Sequence, residues 1–330
     1  MPKTDRAQGR RLEDQPAAPV LAVRSLRSQI SRRSLIPGLA SGLLAGPLQA
    51  KTPTKFQLAC MTLPYSAFPV ERALEGILKA GFRFVAWGVT HRDRHGVRRL
   101  MLEEQASPAE AQALAKRCRD LGLEPVMMFA TVQLEEANAL KVHLRRIEQA
   151  AAARIPFLLT FGRTRPGEYE TMLRNLKQMA QPAREAGVTV LIKQHGGNTA
   201  TGEACARIVQ EVNSPAVAVC YDAGNVLDYE NHDPIPDIQR CWPHVRAFAI
   251  KDHRNTPKDE DCGPGFGEID HYKLFLPVLQ TGRTMPLAFE NIFEPLVPRP
   301  DNPEAIDALA RRSREFIETV IRGLLTHERA

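Results

Sequence analysis

Four charged side chains stand where four short apolar segments of this 330-residue chain come to an end. They are Lys193, Asp222, Lys251 and Glu290. Carboxylates can accept protons and ammonium groups can stabilise a developing negative charge, so this set could perform acid–base chemistry on a carbonyl compound. Because an isolated buried charge is very costly, the four side chains must be paired or functional. A purely structural ion-pair network is the alternative interpretation.

Polar residues near these charges are candidate substrate ligands. Those that follow the charges along the chain are His195, Asn198, Asn225 and His253. Trp87 and His91 lie near the end of an earlier apolar segment, and an aromatic face packs well on a sugar ring. For both of these residues, packing in the core or at the rim is an equal alternative.

A glycine-rich run at 263–267 lies between Lys251 and Glu290 and is followed by Glu268. Three glycines that flank a phenylalanine suit a mobile loop that folds over a bound ligand. We therefore include Glu268 among the candidate substrate ligands. An ordinary solvent-exposed loop is the alternative.

The charged segments belong to a longer alternation of short apolar strands and helical periods. Eight strand–helix pairs follow one another from residue 56 onward. The predicted strands are 56–61, 83–88, 124–130, 156–161, 188–194, 216–221, 245–251 and 285–290. The predicted helices are 68–80, 108–121, 134–153, 168–186, 201–213, 234–242, 270–281 and 303–325. The glycines that close a helix before a strand are Gly81, Gly122, Gly187 and Gly282.

Eight such pairs predict an α/β fold, the (β/α)8 TIM barrel. Continuous apolar strands that alternate with helices form a parallel sheet, and a barrel of this kind typically has about 250 residues. The strands of a barrel end at one mouth, so the four charged side chains should converge there. A doubly wound open sheet is the competing fold. No glycine-rich phosphate loop follows any strand, which argues against that fold and against a nucleotide cofactor.

The charge of the chain is unevenly distributed. Residues 1–50 carry eight basic and three acidic side chains, whereas the rest of the chain carries 36 basic and 35 acidic ones. The net charge of +6 therefore belongs mainly to the first 50 residues, and nucleic-acid binding loses its compositional support. No apolar run reaches the length of about 20 residues that spans a bilayer, so we expect no stable membrane insertion. We expect residues 51–330 to form one barrel domain.

The first 50 residues resemble a twin-arginine export signal. Arg32 and Arg33 precede a short, mildly apolar stretch at 35–46, and Ala50 is a small residue suited to precede a cleavage position. We therefore predict a leader over 1–50 and a periplasmic location. A disordered basic N-terminus on a cytoplasmic enzyme is the alternative. Six cysteines without a CxxC pair indicate neither a thiolate zinc site nor a disulfide framework.

The strand ends resemble those of the sugar phosphate isomerase/epimerase family, whose members are xylose isomerase-like TIM barrels. The resemblance covers residues 56–325 and rests on four features: Asp-x-Gly-x at 222–225, Lys-Asp at 251–252, Gly-x-Gly-Glu-Ile-Asp at 265–270, and Glu290. It implies an enzyme that moves a proton next to a sugar carbonyl through an enediolate. It also implies one divalent metal held by two glutamates, an aspartate and a histidine, of which Asp222 and Glu290 match two.

Other ligand positions depart from this family pattern. Lys193 stands where the fifth-strand glutamate is expected, Ala249 stands where a histidine precedes the Lys-Asp pair, and Asn225 stands where a histidine is common. Two oxygen ligands alone make a weak site for Mn, Mg or Zn, and an ammonium group would repel the cation. The residues left to bind a divalent metal would be Asp222 and Glu290, with His195 or His253.

Our preferred hypothesis is proton abstraction alpha to a sugar carbonyl, with Glu290 as the general base. Burial should raise the pKa of this carboxylate toward a useful range. Lys193 and Lys251 would stabilise the enediolate oxygen as fixed positive charges. Lys193, desolvated near Lys251, could also titrate low enough to return the proton. The residues expected to orient substrate hydroxyl groups are His195, Asn198 and Asp222.

Two other functions fit the same residues. The enediolate can expel a beta substituent, so a lyase or dehydratase that acts on a keto-sugar or a glycoside is one alternative. A non-catalytic carbohydrate-binding barrel is another, because two metal ligands of the family pattern are missing. Related barrel endonucleases need a multi-metal cluster whose ligands this sequence does not supply. The expected partner is a small carbohydrate, and the sequence leaves a homo-oligomer open.

Overall fold

A computed structural model describes residues 52–327, in which eight parallel strands close into a barrel. The strands are Lys55–Met61, Phe84–Trp87, Glu124–Phe129, Phe157–Phe161, Thr189–Lys193, Val217–Tyr221, Val245–Ile250 and Thr284–Phe289. The first strand pairs with the second and also with the eighth, where Lys55 lies opposite Thr284. The predicted (β/α)8 barrel is confirmed, whereas the predicted leader over 1–50 lies outside the described residues.

Helices connect the strands. They are α1 Val70–Lys79, α2 Pro108–Asp120, α3 Ala139–Ala153, α4 Tyr169–Glu185, α5 Gly202–Val212, α6 Ala223–Glu230, α7 Pro234–Cys241, α8 His271–Phe275 and α9 Pro303–His327. The helix predicted over 270–281 is shorter, because Pro277 lacks a backbone N–H and Leu276–Val278 forms a 3-10 turn instead. Helix α6 is not predicted from the sequence. No helix within residues 52–327 is both long and apolar enough to cross a membrane.

Two antiparallel hairpins follow barrel strands, and neither is predicted from the sequence. The first hairpin pairs Thr90–Arg92 with Arg98–Leu100 after the second strand. The second hairpin pairs Asp252–Arg254 with Glu260–Cys262 directly after the seventh strand. Each of these strands has only three residues, too few for the alternation of apolar and polar residues to be informative.

Strand side chains alternate between the barrel interior and the layer beneath the helices. In the sixth strand, Ala218 and Cys220 belong to the interior cluster, whereas Val219 belongs to the cluster shared with the helices. Interior residues of the fifth, seventh and eighth strands include Leu191, Ala249 and Ala288. Because the alternation has a period of two, the residues two positions further along these four strands point into the barrel mouth.

Candidate active site

The residues at these inward positions are the four strand-end charges, and three of them are in direct contact. Lys193 Nζ lies 2.6 Å from Glu290 Oε2 and 2.9 Å from Asp222 Oδ2. Lys193 Nζ also donates to Glu290 Oε1 at 2.9 Å, so it bonds both carboxylate oxygens. Asp222 is fully buried, whereas 16% of the Glu290 side chain is exposed. Glu290 is therefore the carboxylate that a molecule in the mouth can reach.

Hydrogen bonds from the start of α6 and from the fifth strand fix Asp222. Asp222 Oδ1 accepts from the backbone N–H of Asn225 at 3.0 Å, and the backbone N–H of Asp222 donates to Gln194 Oε1 at 2.7 Å. Asn225 Nδ2 donates to the carbonyl oxygen of Gln194 at 2.6 Å. The contact between Lys193 and Asp222 Oδ2 is an ion pair without regular hydrogen-bond geometry. Asn225 thus holds the Asp222 carboxylate in place through its backbone N–H.

Lys251 forms a second ion pair beside the first. Its Nζ donates to Asp261 Oδ2 of the second hairpin at 2.7 Å, and Asp261 Oδ1 lies 3.1 Å from His253 Nδ1. The stem of Lys251 packs on Gly224, where a Cβ would lie 2.6 Å from the lysine Cε. The first turn of α6 therefore leaves a space for Lys251 that only glycine provides.

His195 has one ring nitrogen committed to the backbone. His195 Nδ1 lies 3.0 Å from the carbonyl oxygen of Gly162. A carbonyl can only accept, so Nδ1 carries the proton and Nε2 is the acceptor nitrogen. The ring packs against Phe161 and Tyr229, with centroid distances of 4.6 and 5.4 Å. Burial and the charge of Lys193 lower the pKa of His195, which favours the neutral ring at pH 7.

The ion pair reverses the pKa shifts expected from burial alone. Burial raises the pKa of Glu290, but Lys193 and Lys251 outweigh it and hold this pKa below its ordinary value. Burial lowers the pKa of Lys193, but Asp222 and Glu290 outweigh it and raise this pKa above its ordinary value. The predicted raised pKa of Glu290 and low pKa of Lys193 are therefore wrong, because both neglected the contact between these residues. At Asp222 burial dominates and the pKa is raised.

The residues between Asp222 and Glu290 do not fit a metal ion. The ammonium group of Lys193 occupies this space within 2.9 Å of both carboxylates and would repel a cation. Ala249 offers no ligand atom, and His253 turns toward Asp261. A metal at the family position is therefore not supported by the side chains there. Outside this position, Asp228 of α6 and His253 and Asp261 of the second hairpin lie close enough together to hold an ion.

Trp87 and His91 do not line the mouth as predicted. Trp87 follows the inward-facing Ala86, so its side chain points to the layer beneath the helices and is 1% exposed. His91 is 3% exposed and uses both ring nitrogens, at 3.1 Å from the Phe68 carbonyl and 2.9 Å from Thr62 Oγ1. Their expected contact with a substrate is corrected to packing in the core for Trp87 and at the rim for His91.

Glu268 and Asn198 make hydrogen bonds to neighbouring loops. Glu268 Oε1 accepts from the backbone N–H of Asn255 at 2.9 Å, which fastens the second hairpin. Asn198 Nδ2 donates to the carbonyl of Gly167 at 2.6 Å and to Glu135 Oε1 at 3.2 Å. Glu268 Oε1 and the Asn198 amide thus support loops. The predicted contact of these two residues with substrate stays a prediction.

Contacts with Asp252 and Arg312 hold the glycine-rich run at 263–267, and the mobility predicted for this run stays a prediction. Asp252 Oδ2 accepts from the backbone N–H of Gly265 at 3.0 Å. The guanidinium of Arg312 on α9 lies 3.4 Å over the Phe266 ring. A Cβ on Gly267 would lie 2.2 Å from Asp252 Oδ1, so this glycine permits a close approach. Gly267 thus serves packing around the buried Asp252, whereas a Cβ on Gly265 would meet the Phe316 ring at 2.7 Å.

Three polar residues around the site are missed by the sequence analysis. Gln194 is fully buried and supports Asp222, and Asp261 pairs with Lys251. Glu135 is 2% exposed and accepts from the backbone N–H of Arg163 at 3.0 Å, and burial raises the pKa of Glu135. Gln194 directly follows Lys193 at the end of an apolar strand, and this pattern could have indicated that Gln194 belongs to the site. Asp261 and Glu135 have no such signal, because only the fold brings their loops to the mouth.

The closed barrel and the charges at its strand ends define the class of this protein. A family model described as the xylose isomerase-like TIM barrel matches residues 74–317. The chain therefore belongs to the xylose isomerase-like TIM barrel family, which confirms the resemblance inferred from the strand-end motifs. No curated protein matches the chain in sequence.

Solved structures share this fold at low sequence identity. An L-ribulose 3-epimerase is 18% identical with a TM-score of 0.64, and the match covers 83% of this chain and 97% of the epimerase. A xylose isomerase-like TIM barrel protein from Mycobacterium smegmatis, solved in complex with magnesium, is 14% identical with a TM-score of 0.63, covering 82% and 97%. A fusion of such a barrel with 4-hydroxyphenylpyruvate dioxygenase is 20% identical with a TM-score of 0.64, covering 84% of this chain but only 45% of the fusion protein. These likenesses show the fold alone.

Proposed function

We propose that the protein is an isomerase or epimerase that moves a proton next to the carbonyl group of a carbohydrate, with Glu290 as the proton acceptor. The observation that carries this proposal is the contact of 2.6 Å between Glu290 and Lys193 at the barrel mouth. Glu290 is the exposed member of the pair, and its lowered pKa keeps it ionised at neutral pH. An ionised carboxylate beside a fixed ammonium group is suited to form an enolate-type intermediate.

Lys193 and Lys251 keep the charge balanced during this transfer. When Glu290 takes the proton, the C–H electron pair forms the carbon–carbon double bond and the carbonyl electrons move to the oxygen. The negative charge therefore passes from the carboxylate to the enediolate oxygen. The ammonium groups, already in place, can then bind this oxygen with little reorganisation. Because the pKa of Lys193 is raised, we assign this lysine to charge stabilisation and not to the return of the proton.

His195 is suited to move the second proton. Isomerisation requires a hydroxyl proton to move as well as the carbon-bound one, and a neutral imidazole with a fixed tautomer can accept it. The bond from His195 Nδ1 to Gly162 leaves Nε2 for this task. The lowered pKa of His195 keeps the ring neutral at pH 7. We therefore propose that Glu290 acts on carbon and His195 on oxygen.

The test is exchange of the carbon-bound hydrogen with solvent. A panel of ketoses is incubated with the full-length protein in deuterated water, and loss of the proton signal next to the carbonyl is followed by NMR. We expect Glu290→Gln to lower the exchange rate by about 100-fold or more, the size expected for loss of a general base. Glu148→Gln on the exposed face of α3 should exchange like the wild type.

The products separate the remaining alternatives. Release of water or of an alcohol together with exchange would identify a lyase or dehydratase that shares the same base. Saturable binding of a ketose without exchange would contradict an enzyme and favour a carbohydrate-binding barrel. Exchange that persists in Glu290→Gln would contradict the assignment of the base.

A further inference from the structure

A histidine and two aspartates come together beside the mouth, outside the central ion pair. His253 and Asp261 lie opposite each other on the second hairpin, and Asp228 lies on α6. One ligand atom from each of the three lies within 4.8 Å of the other two. His253 is 1% exposed, and its Nδ1 lies 3.1 Å from Asp261 Oδ1. The two strands of the hairpin and α6 thus bring one nitrogen and two oxygen atoms close together.

The spacing of these atoms suits coordination of an ion. Ligand atoms about 2.1 Å from a first-row metal lie about 3.0 Å apart in octahedral coordination and about 3.4 Å apart in tetrahedral coordination, the geometry usual for zinc. The separation of 3.1 Å between His253 Nδ1 and Asp261 Oδ1 falls between these two values. Lys251 donates to Asp261 Oδ2, so the other oxygen of Asp261 is the one turned toward the histidine.

Asp228 is the candidate ligand that α6 supplies. Its half-buried carboxylate makes no hydrogen bond or ion pair to any residue within 52–327. One carboxylate oxygen of Asp228 lies within 4.8 Å of a carboxylate oxygen of Asp261. Two like charges this close repel each other, and a bound cation would remove that repulsion. The other carboxylates around it, Asp259 and Asp261, both contact His253.

We propose that Asp228, His253 and Asp261 form a binding site for a divalent first-row metal ion, with Zn²⁺ as the best fit and water in the remaining positions. One imidazole and two carboxylates suit zinc better than magnesium, which prefers oxygen ligands. The ion would tie the second hairpin to α6. This site is distinct from the position between Asp222 and Glu290, where Lys193 excludes a cation. The proposal does not depend on the proposed function.

The test is direct metal binding by the full-length chain without an affinity tag. The metal-stripped protein is titrated with ZnCl2 by calorimetry, and Co²⁺ is added separately as a spectroscopic probe of the ligands. We expect one Zn²⁺ per chain. Asp228→Asn should weaken binding by at least about tenfold, the loss seen even for residues that only support metal ligands. Glu290→Gln and His95→Gln, the latter at an exposed histidine, should bind like the wild type.

Asp228→Asn is the deciding variant, because its side chain makes no hydrogen bond within 52–327 that folding would miss. His253→Gln should also lose binding and shift the Co²⁺ spectrum, provided that its circular dichroism matches the wild type. Absence of saturable binding, or unchanged affinity in Asp228→Asn, would overturn the site. Loss of binding in Glu290→Gln would overturn it as well, because the ion would then lie at the family position.

Discussion

At the scale of single residues, Lys193 places a covalently attached positive charge between the carboxylates of Asp222 and Glu290. A metal ion can dissociate from such a position, but a side chain cannot, so Lys193 offsets part of the negative charge of Asp222 and Glu290 as soon as the barrel forms. Asp222 is fully buried and therefore depends most on this partial neutralisation. Removing one partner of a buried ion pair leaves an uncompensated charge, which costs more than the pair itself contributes.

We expect Lys193→Met to lower the free energy of unfolding by about 3–5 kcal/mol, because two carboxylates are left facing each other without a counter-charge. The measurement is urea denaturation of the variant and the wild type at pH 7. The matched control is Lys116→Met, which removes a lysine from an exposed pair with Asp120 on α2. The control should change stability by less than about 1 kcal/mol. A loss of similar size in both variants would contradict the role of Lys193.

The same ion pair determines how stability depends on pH. The pKa of Glu290 is lowered from its ordinary value of 4.5, so its contribution is present above pH 4.5 and is lost as the pH falls through the folded value. The pKa of Lys193 is raised from 10.5, so its contribution is complete below pH 10.5 and is lost only above that. We expect the urea midpoint to fall more steeply below pH 4.5 in the wild type than in Glu290→Gln. Equal slopes of the urea midpoint against pH in the two proteins would show that the pair of Glu290 and Lys193 adds nothing to the pH dependence of stability.

At the scale of elements, α6 and the second hairpin bring the partners of Lys251 into place. Helix α6 begins directly after the sixth strand, with Asp222 as its capping residue. The aliphatic stem of Lys251 packs on Gly224 in the first turn of α6. The ammonium group of Lys251 donates to Asp261 of the second hairpin. The position of Lys251 therefore depends on two elements that flank its own strand.

We expect Gly224→Ala to displace Lys251, because the added Cβ would lie 2.6 Å from the lysine Cε. The exchange rate with ketoses should fall roughly tenfold or more, since misplacing a catalytic group by about 1 Å can cost up to 100-fold. The control is Gly323→Ala in α9, where a Cβ would meet the exposed Tyr272 ring at 3.1 Å and that ring can move. An unchanged exchange rate in Gly224→Ala would mean that Lys251 takes no part in the proton transfer.

The sequence predicts the strands well because each is a continuous apolar run bounded by glycine or polar residues. The inward direction of Lys193 and Glu290 also follows from the period of two along a strand. The same rule shows why Trp87 faces outward, since it follows the inward Ala86. Helix α6 and both hairpins escape prediction because they are short and rich in polar residues. Asp228 and Asp261 reach the mouth only through these elements, so no local pattern indicates them.

At the scale of the whole molecule, the basic character belongs to the first 50 residues and the candidate site to the barrel. We propose that the chain is exported through the twin-arginine route, which moves folded proteins. Replacing Arg32 and Arg33 together by lysine should leave the protein in the cytoplasm of a bacterium that has this route. Fractionation followed by immunoblotting measures this. A wild-type chain that stays in the cytoplasmic fraction would contradict the export signal.

The central claim is that proton transfer at this barrel mouth relies on Glu290 and two ammonium groups in place of a metal. The most direct measurement is the rate of deuterium exchange into a ketose substrate by the full-length protein after removal of metal with a chelator. We expect the stripped protein to exchange at the rate of the untreated protein, and added Mg²⁺, Mn²⁺ or Zn²⁺ to leave that rate unchanged. A rate that falls to background on stripping and returns with an added cation, in the wild type and in Asp228→Asn alike, would contradict the claim.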